Sequence, residues 1–497
     1  MNLRSILVPG LATIAMPVFA ADSLATGENR PSGSYFEDEM TSFMDFNSLE
    51  ARIRLVEFHR KTKPYMTKDG SDLKKTSKVR EGGDALGVQL NFKSGLVADF
   101  IGFDASLYTV GNMSSPYDKD RQLFVTKDDG THTGFSKLGQ SYVKAKVQLE
   151  DDEEPLLTFK GGRERIYTGL IAGSSSRAIP SSWQGVDIGG GIAGLHYGLA
   201  WVNRISTRNS SNFDELKSFK KKGTPNSTTL GKYDEDNKDG SKDGNSTKVL
   251  ALAEKIDSIW GAELGYDLMG LSLSYKDAHA KDFLYSYNLN AGYTFNISDD
   301  LAIGVNLMYY KAKEDGKLWT GYTFGDTSFN KDADIKHINF TTNIGDLSLL
   351  LGFSKTKAVY KDKDGKKQLG RYYYDFGINT YGGFMLPTAP LVGDFFFDNE
   401  KAWVISASYK FDEFVPGLSA EASYTSGDGF KDGGKSLKEK ETDIDIKYAF
   451  QGAALEGLSF RIRYGMYRPS GKRLDGSELA GDRNAKRVYL EYKSMVF

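Results

Sequence analysis

Apolar and polar side chains alternate with a period of two in one strand-length stretch after another, and this repetition limits the folds open to the chain more than any other feature. Leu86, Val88, Leu90 and Phe92 alternate with Gly87, Gln89, Asn91 and Lys93, and Leu301, Ile303, Val305, Leu307 and Tyr309 with Ala302, Gly304, Asn306 and Met308. Trp403, Ile405, Ala407 and Tyr409 alternate with Val404, Ser406, Ser408 and Lys410, and Ile444, Ile446, Tyr448 and Phe450 with Asp443, Asp445, Lys447 and Ala449. Successive side chains of a strand point to opposite faces, so each stretch has one face suited to oil and one to water. A soluble sandwich alternates too, but its core closes within a far shorter chain than 497 residues. In a transmembrane barrel only every second residue meets lipid. That reconciles a modest hydrophobic content of 39% with Tyr 28, Phe 30 and Gly 54.

The pattern predicts strands near 47–60, 84–94, 97–110, 140–149, 155–168, 185–193, 194–205, 252–266, 269–277, 283–295, 301–312, 335–344, 346–359, 400–411, 417–426, 440–450, 457–469 and 485–497. They number about eighteen, an even count suited to an all-β transmembrane antiparallel barrel. Gly95-Leu96, Asp151 to Glu154, Asp267-Leu268, Ser298 to Asp300 and Gly345 are tight turns, whereas 61–83, 111–139, 169–184, 206–251, 313–334 and 360–399 are long. Only 278–282 is short where a long loop is expected. Short periplasmic turns on one rim, shared with both termini, and long extracellular loops on the other are the outer-membrane pattern. Tyr266, Tyr285, Tyr287, Tyr293, Phe295 and Phe411 fall near strand ends on the apolar face, where rings suit the lipid–water boundary.

Arg4, the apolar stretch Ile6 to Phe19 and the small residues around Ala20 and Ala21 have the form of a secretory signal peptide, residues 1–20. Residues 21–46 follow as an N-terminal periplasmic segment and 47–497 as the barrel, with no plug-sized domain between. No later window approaches ~20 consecutive apolar residues, so no helical span is expected. The chain has Cys 0, leaving stability to hydrogen bonds and packing. A net charge of -2 recruits no nucleic acid, and any charge selectivity must be local.

Several stretches resemble the OprD family of outer-membrane porins, the outer-membrane carboxylate channels: Gly87 to Gly95, Ser175 to Gly185, Pro416 to Ala420 with Tyr424 to Gly427, Leu455 to Tyr464, and Asp482 to Asn484. The resemblance runs over nearly the whole chain after residue 20. It implies an eighteen-stranded, usually monomeric barrel, with a trimer as the alternative, and an inward-folded third long loop near 169–184. It also implies a ladder of arginine and lysine along the pore wall that guides anions. The terminal Phe497, after an amphipathic strand, resembles the signal read by the barrel-assembly machinery. Lysine-rich loops and the aromatic run Gly393 to Asn399 depart from the commoner pattern, and the chitoporin-like branch passes amino-sugar oligomers.

Arg461 and Arg463 alternate with Phe460, Ile462 and Tyr464. Turning the arginines to lipid would cost roughly 2–4 kcal/mol each near the midplane, so they face the lumen. The same reasoning places Arg52 and Arg54 opposite Ala51, Ile53 and Leu55, and Lys144 and Lys146 opposite Val143, Ala145 and Val147. Arg204, Lys276, Lys410 and Lys447 add further inward cations. Guanidinium suits the ladder because its planar fork can hand a carboxylate on bidentately. The plain reading is lumen ion pairing with Glu50, Glu263, Glu421, Asp443 and Asp445. In the third long loop Ser174, Ser175, Ser176, Arg177 and Ser182 are candidate constriction residues, against a surface loop of turn formers.

Asp234 to Gly244 is acidic but lacks the ligand register of a calcium loop, so a solvated extracellular loop is expected and no metal is assigned. Lys61, Lys63 and Lys220 to Lys222 are candidates for lipopolysaccharide contact. The histidines His59, His132, His196, His279 and His337 have no metal-ligand spacing, and no partnered nucleophile is visible. The expectation is therefore a channel without cofactor, not an enzyme, sited in the outer membrane of a Gram-negative bacterium. Its solutes are small carboxylates or amino acids, with amino-sugar oligosaccharides second and a structural or adhesive barrel third.

Overall fold

The computed structural model describes residues 43, 46–69, 71–127, 130–148, 155–223, 230, 247–323 and 326–497. Residues 1–20, expected as a leader, nearly all of the segment 21–46, the turn Asp151 to Glu154 and the acidic stretch 234–244 lie outside the described residues. In chain order the barrel strands are β1 (Ser48–Thr62), β2 (Val79–Lys93), β3 (Ile101–Ser114), β4 (Phe135–Val147), β5 (Leu157–Glu164), β6 (Ser182–Ile192), β7 (Leu195–Ser206), β8 (Ile259–Leu268) and β9 (Leu271–Ala280). They continue as β10 (Leu284–Ser298), β11 (Leu301–Glu314), β12 (Asp332–Ile344), β13 (Leu347–Ala358), β14 (Lys401–Lys410), β15 (Leu418–Asp428), β16 (Lys438–Ala449), β17 (Leu458–Ser470) and β18 (Arg483–Met495).

Every strand pairs antiparallel with its sequence neighbours, and β18 returns to β1 from Glu50↔Met495 to Thr62↔Arg483, closing a barrel of 18 strands. Closure leaves no edge, which a strand in hydrocarbon could not tolerate. Two further strands, Asp214–Lys221 and Ala253–Ile256, extend the sheet beside β7 without entering the closed circuit.

The expected strands are all present, with shifted ends. β3 starts at Ile101 because Ala98 and Asp99, at φ 53 and 56, spend four residues on the preceding turn. β2, β4 and β6 begin before their expected starts, since pairing continues above the lipid band. The predicted eighth strand begins at Ile259; residues 252–256 belong instead to the end of a short helix, Thr247–Leu252, and to the strand beside β7.

The outward face is apolar, with Leu199, Trp260, Leu307, Phe353 and Ile405 exposed to the membrane. Tyr293 and Phe295 (4.5 Å between ring centroids) and Tyr409 and Phe411 (4.8 Å) cluster at the turn rim, and Tyr275, Tyr285 and Tyr287 toward the loop rim. These are the two aromatic girdles.

The lumen is not open along its length. Long loops turn inward and build a hydrophobic core inside the loop-side half. Ile166, Leu170 and Ile171 of loop 3 (residues 165–181), Leu216 and Phe219 of loop 4 (207–258), Trp319 and Phe329 of loop 6 (315–331), and Tyr372, Phe376, Phe384 and Phe396 of loop 7 (359–400) pack together there. The wall beneath them carries Ala278, Ala280, Ala312, Ala333 and Ala358, whose small side chains leave room for loop rings.

Candidate functional site

β16, β17, β18 and β1 form one sector of inner wall in which charged residues meet in register. Arg463 lies opposite Asp445 on one side and Arg487 on the other, while Arg54 lies opposite Glu491. Arg461 grips Asp445 through Nε at 2.8 Å, and Arg463 reaches the same carboxylate at 2.9 Å. Two guanidiniums thus share one carboxylate, so this trio is net positive. The Arg461 side chain is 38% exposed, against 12% for Arg463, so it is the cation a solute meets. Arg52 pairs with Glu50 at 3.0 Å and Arg54 with Glu491.

Loop 3 is fastened over this sector. Within it, Ser174 N donates to Ser181 Oγ at 2.7 Å, Ser181 N returns a bond to Ser174 O at 2.9 Å, and Trp183 Nε1 donates to Ala172 O at 3.0 Å. Arg54 then donates to Ser175 O at 2.8 Å and Arg177 O at 3.2 Å, and the Tyr489 hydroxyl donates to Ser176 O at 3.1 Å. Gly87 lets the loop lie against bare backbone: a Cβ there would sit 2.1 Å from Ala178 O. Arg177 stacks over Phe58 at 4.0 Å and donates to Arg121 O of loop 2 (115–134) at 2.8 Å. Arg208, at the start of loop 4, donates to Ser176 Oγ at 2.8 Å and to Gln122 Oε1 at 3.0 Å.

Loop 7 is fastened to the same sector from its β16 side. Glu441 accepts from the amides of Val392 and Gly393, both at 2.7 Å, and Asp443 from the Leu391 amide at 2.9 Å. Arg487 donates to Leu391 O at 3.0 Å and stacks over Phe58 at 4.7 Å. Inward carboxylates of β16 therefore serve as loop anchors, because successive amides with no strand partner must be satisfied where water is scarce. Just before β14, Glu400 accepts from the Phe397 amide at 2.8 Å, and burial together with neighbouring Glu439 pushes its carboxyl well above the usual range.

The structure brings Arg52, Arg54, Arg461 and Arg463 together, with Lys447 on the same inward face nearer the turns. Lys146 is inward too and donates to Phe43 O at 3.2 Å. Lys144 differs from expectation: it is fully buried, held by Asp104 at 2.6 Å and Ser94 O at 2.8 Å, and cannot present its charge to a solute. Arg204 is corrected outright. A bulge at the Gln184/Gly185 step sets Val202 and Ile205 on the inward face and turns exposed Arg204 outward, toward Phe213 O. Of the candidate constriction residues only Ser175 and Ser176 are partly open; Ser174 and Arg177 of loop 3 and Ser182 at the start of β6 are buried and build the loop instead of lining the pore. Arg487 and Arg208 are additions. The first was legible from its alternation with Val488 and Leu490, while the second follows a bulge and carried no periodic signal.

A closed barrel that is lipid-facing outside, charged inside and narrowed by inward loops defines a porin-type channel of the Gram-negative outer membrane. The sequence matches the family described as outer membrane porin, OprD family, over residues 56–496, and the chain belongs to that family. It is 27% identical to Porin D of Pseudomonas aeruginosa over 266 residues, 50% of this chain and 55% of that protein, so the match spans about half the length of the curated relative. Among solved structures, Pseudomonas aeruginosa OpdK with vanillate superimposes with a TM-score of 0.67 at 19% identity, covering 91% of this chain and 100% of that one. Acinetobacter baumannii OccAB2 gives 0.66 at 19% identity over 92% and 100%. These likenesses concern the fold.

Proposed function

We propose that the chain is a passive channel for small carboxylates, led inward by Arg461, Arg463 and Arg54 and sieved between loops 3 and 7. The observation that carries this reading is the sharing of Asp445 by two arginines, one of them substantially exposed. A carboxylate solute can exchange with Asp445 on Arg461 while Asp445 keeps its contact with Arg463, so binding stays shallow enough for release. The solute's own gradient supplies the driving force, and no covalent step is required. OpdK, solved with the aromatic carboxylate vanillate, supports the same class. The large lumen aromatics Tyr372, Phe384 and Phe396 are packed against one another, and this disfavours an oligosaccharide rail. Residues 1–20 act on this reading as the export leader.

The test is single-channel recording of the refolded protein in a planar bilayer under a salt gradient, with small carboxylates and chito-oligosaccharides added in turn. Anion preference and carboxylate-dependent interruptions are expected, and both should vanish in Arg461→Ala/Arg463→Ala, which leaves Asp445 unpaired and turns selectivity toward cations. Interruptions by chito-oligosaccharides alone would move the chain to the amino-sugar reading.

A further inference from the structure

The outer wall carries a charge pattern that solute passage does not use. On β12, β13 and β14 the register sets Lys336 opposite Lys355 and Lys355 opposite Lys401. All three lie on the outward face, since the alternating residues His337, Ser354 and Ala402 are buried inward. One step toward the turns the same row reads Ile338, Phe353 and Trp403, with Phe353 and Trp403 exposed to lipid. Three ammonium groups thus stand side by side at the upper margin of the apolar band, on the loop side.

Like charges directly opposite one another destabilise a sheet. Here no carboxylate among the described residues forms an ion pair with these lysines. Lys355 donates to Asn399 O at 2.6 Å, Asp428 lies opposite Lys401 on β15, and Asp332 and Asp334 are taken by Lys311. Nearby Asp398 pairs with Lys367 at 2.7 Å, and Glu400 is buried on the inner side. Among the described residues Asp428 is thus one facing carboxylate for a row of three ammonium groups, and the height of the row at the top of the lipid band sets it level with the phosphates of membrane lipids.

We propose that Lys336, Lys355 and Lys401 dock the phosphates of an outer-leaflet glycolipid whose headgroup is a phosphorylated disaccharide, the lipid A portion of lipopolysaccharide. The row spans two strand spacings, roughly 10 Å. A bisphosphorylated disaccharide can bridge that width, whereas a glycerophospholipid offers one phosphate. The rings of Phe353 and Trp403 directly below would receive the first acyl carbons.

Binding of bisphosphorylated lipid A to the refolded full chain in neutral detergent, followed by native mass spectrometry, tests this. The wild type should bind it at least roughly ten-fold more tightly than dephosphorylated lipid A or phosphatidylglycerol, and Lys336→Gln/Lys355→Gln/Lys401→Gln should lose that margin. Lys75→Gln/Lys363→Gln/Lys435→Gln, which removes equal charge from the loops, should keep it. Heat-modifiable migration on gels establishes that each variant is folded. Unchanged binding in the first variant, equal loss in the second, or equal affinity for phosphatidylglycerol would each overturn the proposal.

Discussion

At the scale of single residues, the most exposed liability is Glu400. Its carboxyl occupies the place a side chain at Gly427 would take, with a Cβ there only 1.9 Å from Oε1, and it faces Glu439, which accepts from the Tyr467 hydroxyl. The folded-state pKa is raised by burial and by Glu439. A carboxyl raised in this way contributes fully to stability below its unfolded pKa of 4.5, and the contribution is lost as pH climbs through the folded value. Glu400→Gln keeps an acceptor for the Phe397 amide and carries no charge. Its melting temperature in detergent should therefore gain on the wild type as pH rises from about 5 to about 9. A constant difference across that range would remove Glu400 as the source.

Among elements, loop 7 decides how much of the lumen is open, and β16 decides where loop 7 sits. Glu441 accepts from two consecutive amides of the loop, one through each carboxyl oxygen, and so satisfies two donors that have no strand partner. Glu441→Ala should release this end of the loop, at about 1–3 kcal/mol for each amide left without an acceptor. The expected signature is a larger and noisier single-channel conductance with the barrel still heat-modifiable. Conductance identical to wild type would show that the constriction is held by loop 3 alone. Loop 3 has its own fastening, through Arg54 and Tyr489, and meets loop 7 where Gly383 N donates to Leu170 O at 2.8 Å. The two loops therefore brace one another across the pore.

For the whole molecule, stability without any cysteine rests on the closed hydrogen-bonded ring. The junction of β1 with β18 is paired along the full length of the shared wall, and beyond it Leu49 N donates to Phe497 O at 3.1 Å. Amide exchange in β1 and β18 should consequently be as slow as in β10 and β11. Fast exchange confined to the terminal strands would mean an open sheet. The same closure fixes the two environments of the wall, so that inward charges meet the lumen or the loops packed in it, while outward residues meet the membrane or its margins.

What the sequence determined by itself was the wall. Period-two alternation settles which side of each strand meets lipid, because misplacing an arginine there costs kilocalories; hence Arg52, Arg54, Arg461 and Arg463 were legible as inward residues. The alternating turns and loops likewise gave strand count and orientation. Only the tertiary structure decided what fills the barrel. Loop 7, readable from sequence only as a long extracellular connection with an aromatic run, folds inward because its rings bury against alanine-lined wall and its amides meet the carboxylates of β16. The bulge that turns Arg204 outward and the burial of Lys144 beside Asp104 were equally hidden. Periodicity records the two faces of a strand, whereas bulges, ion pairs and loop packing depend on residues far apart in the chain that meet only once the ring has closed.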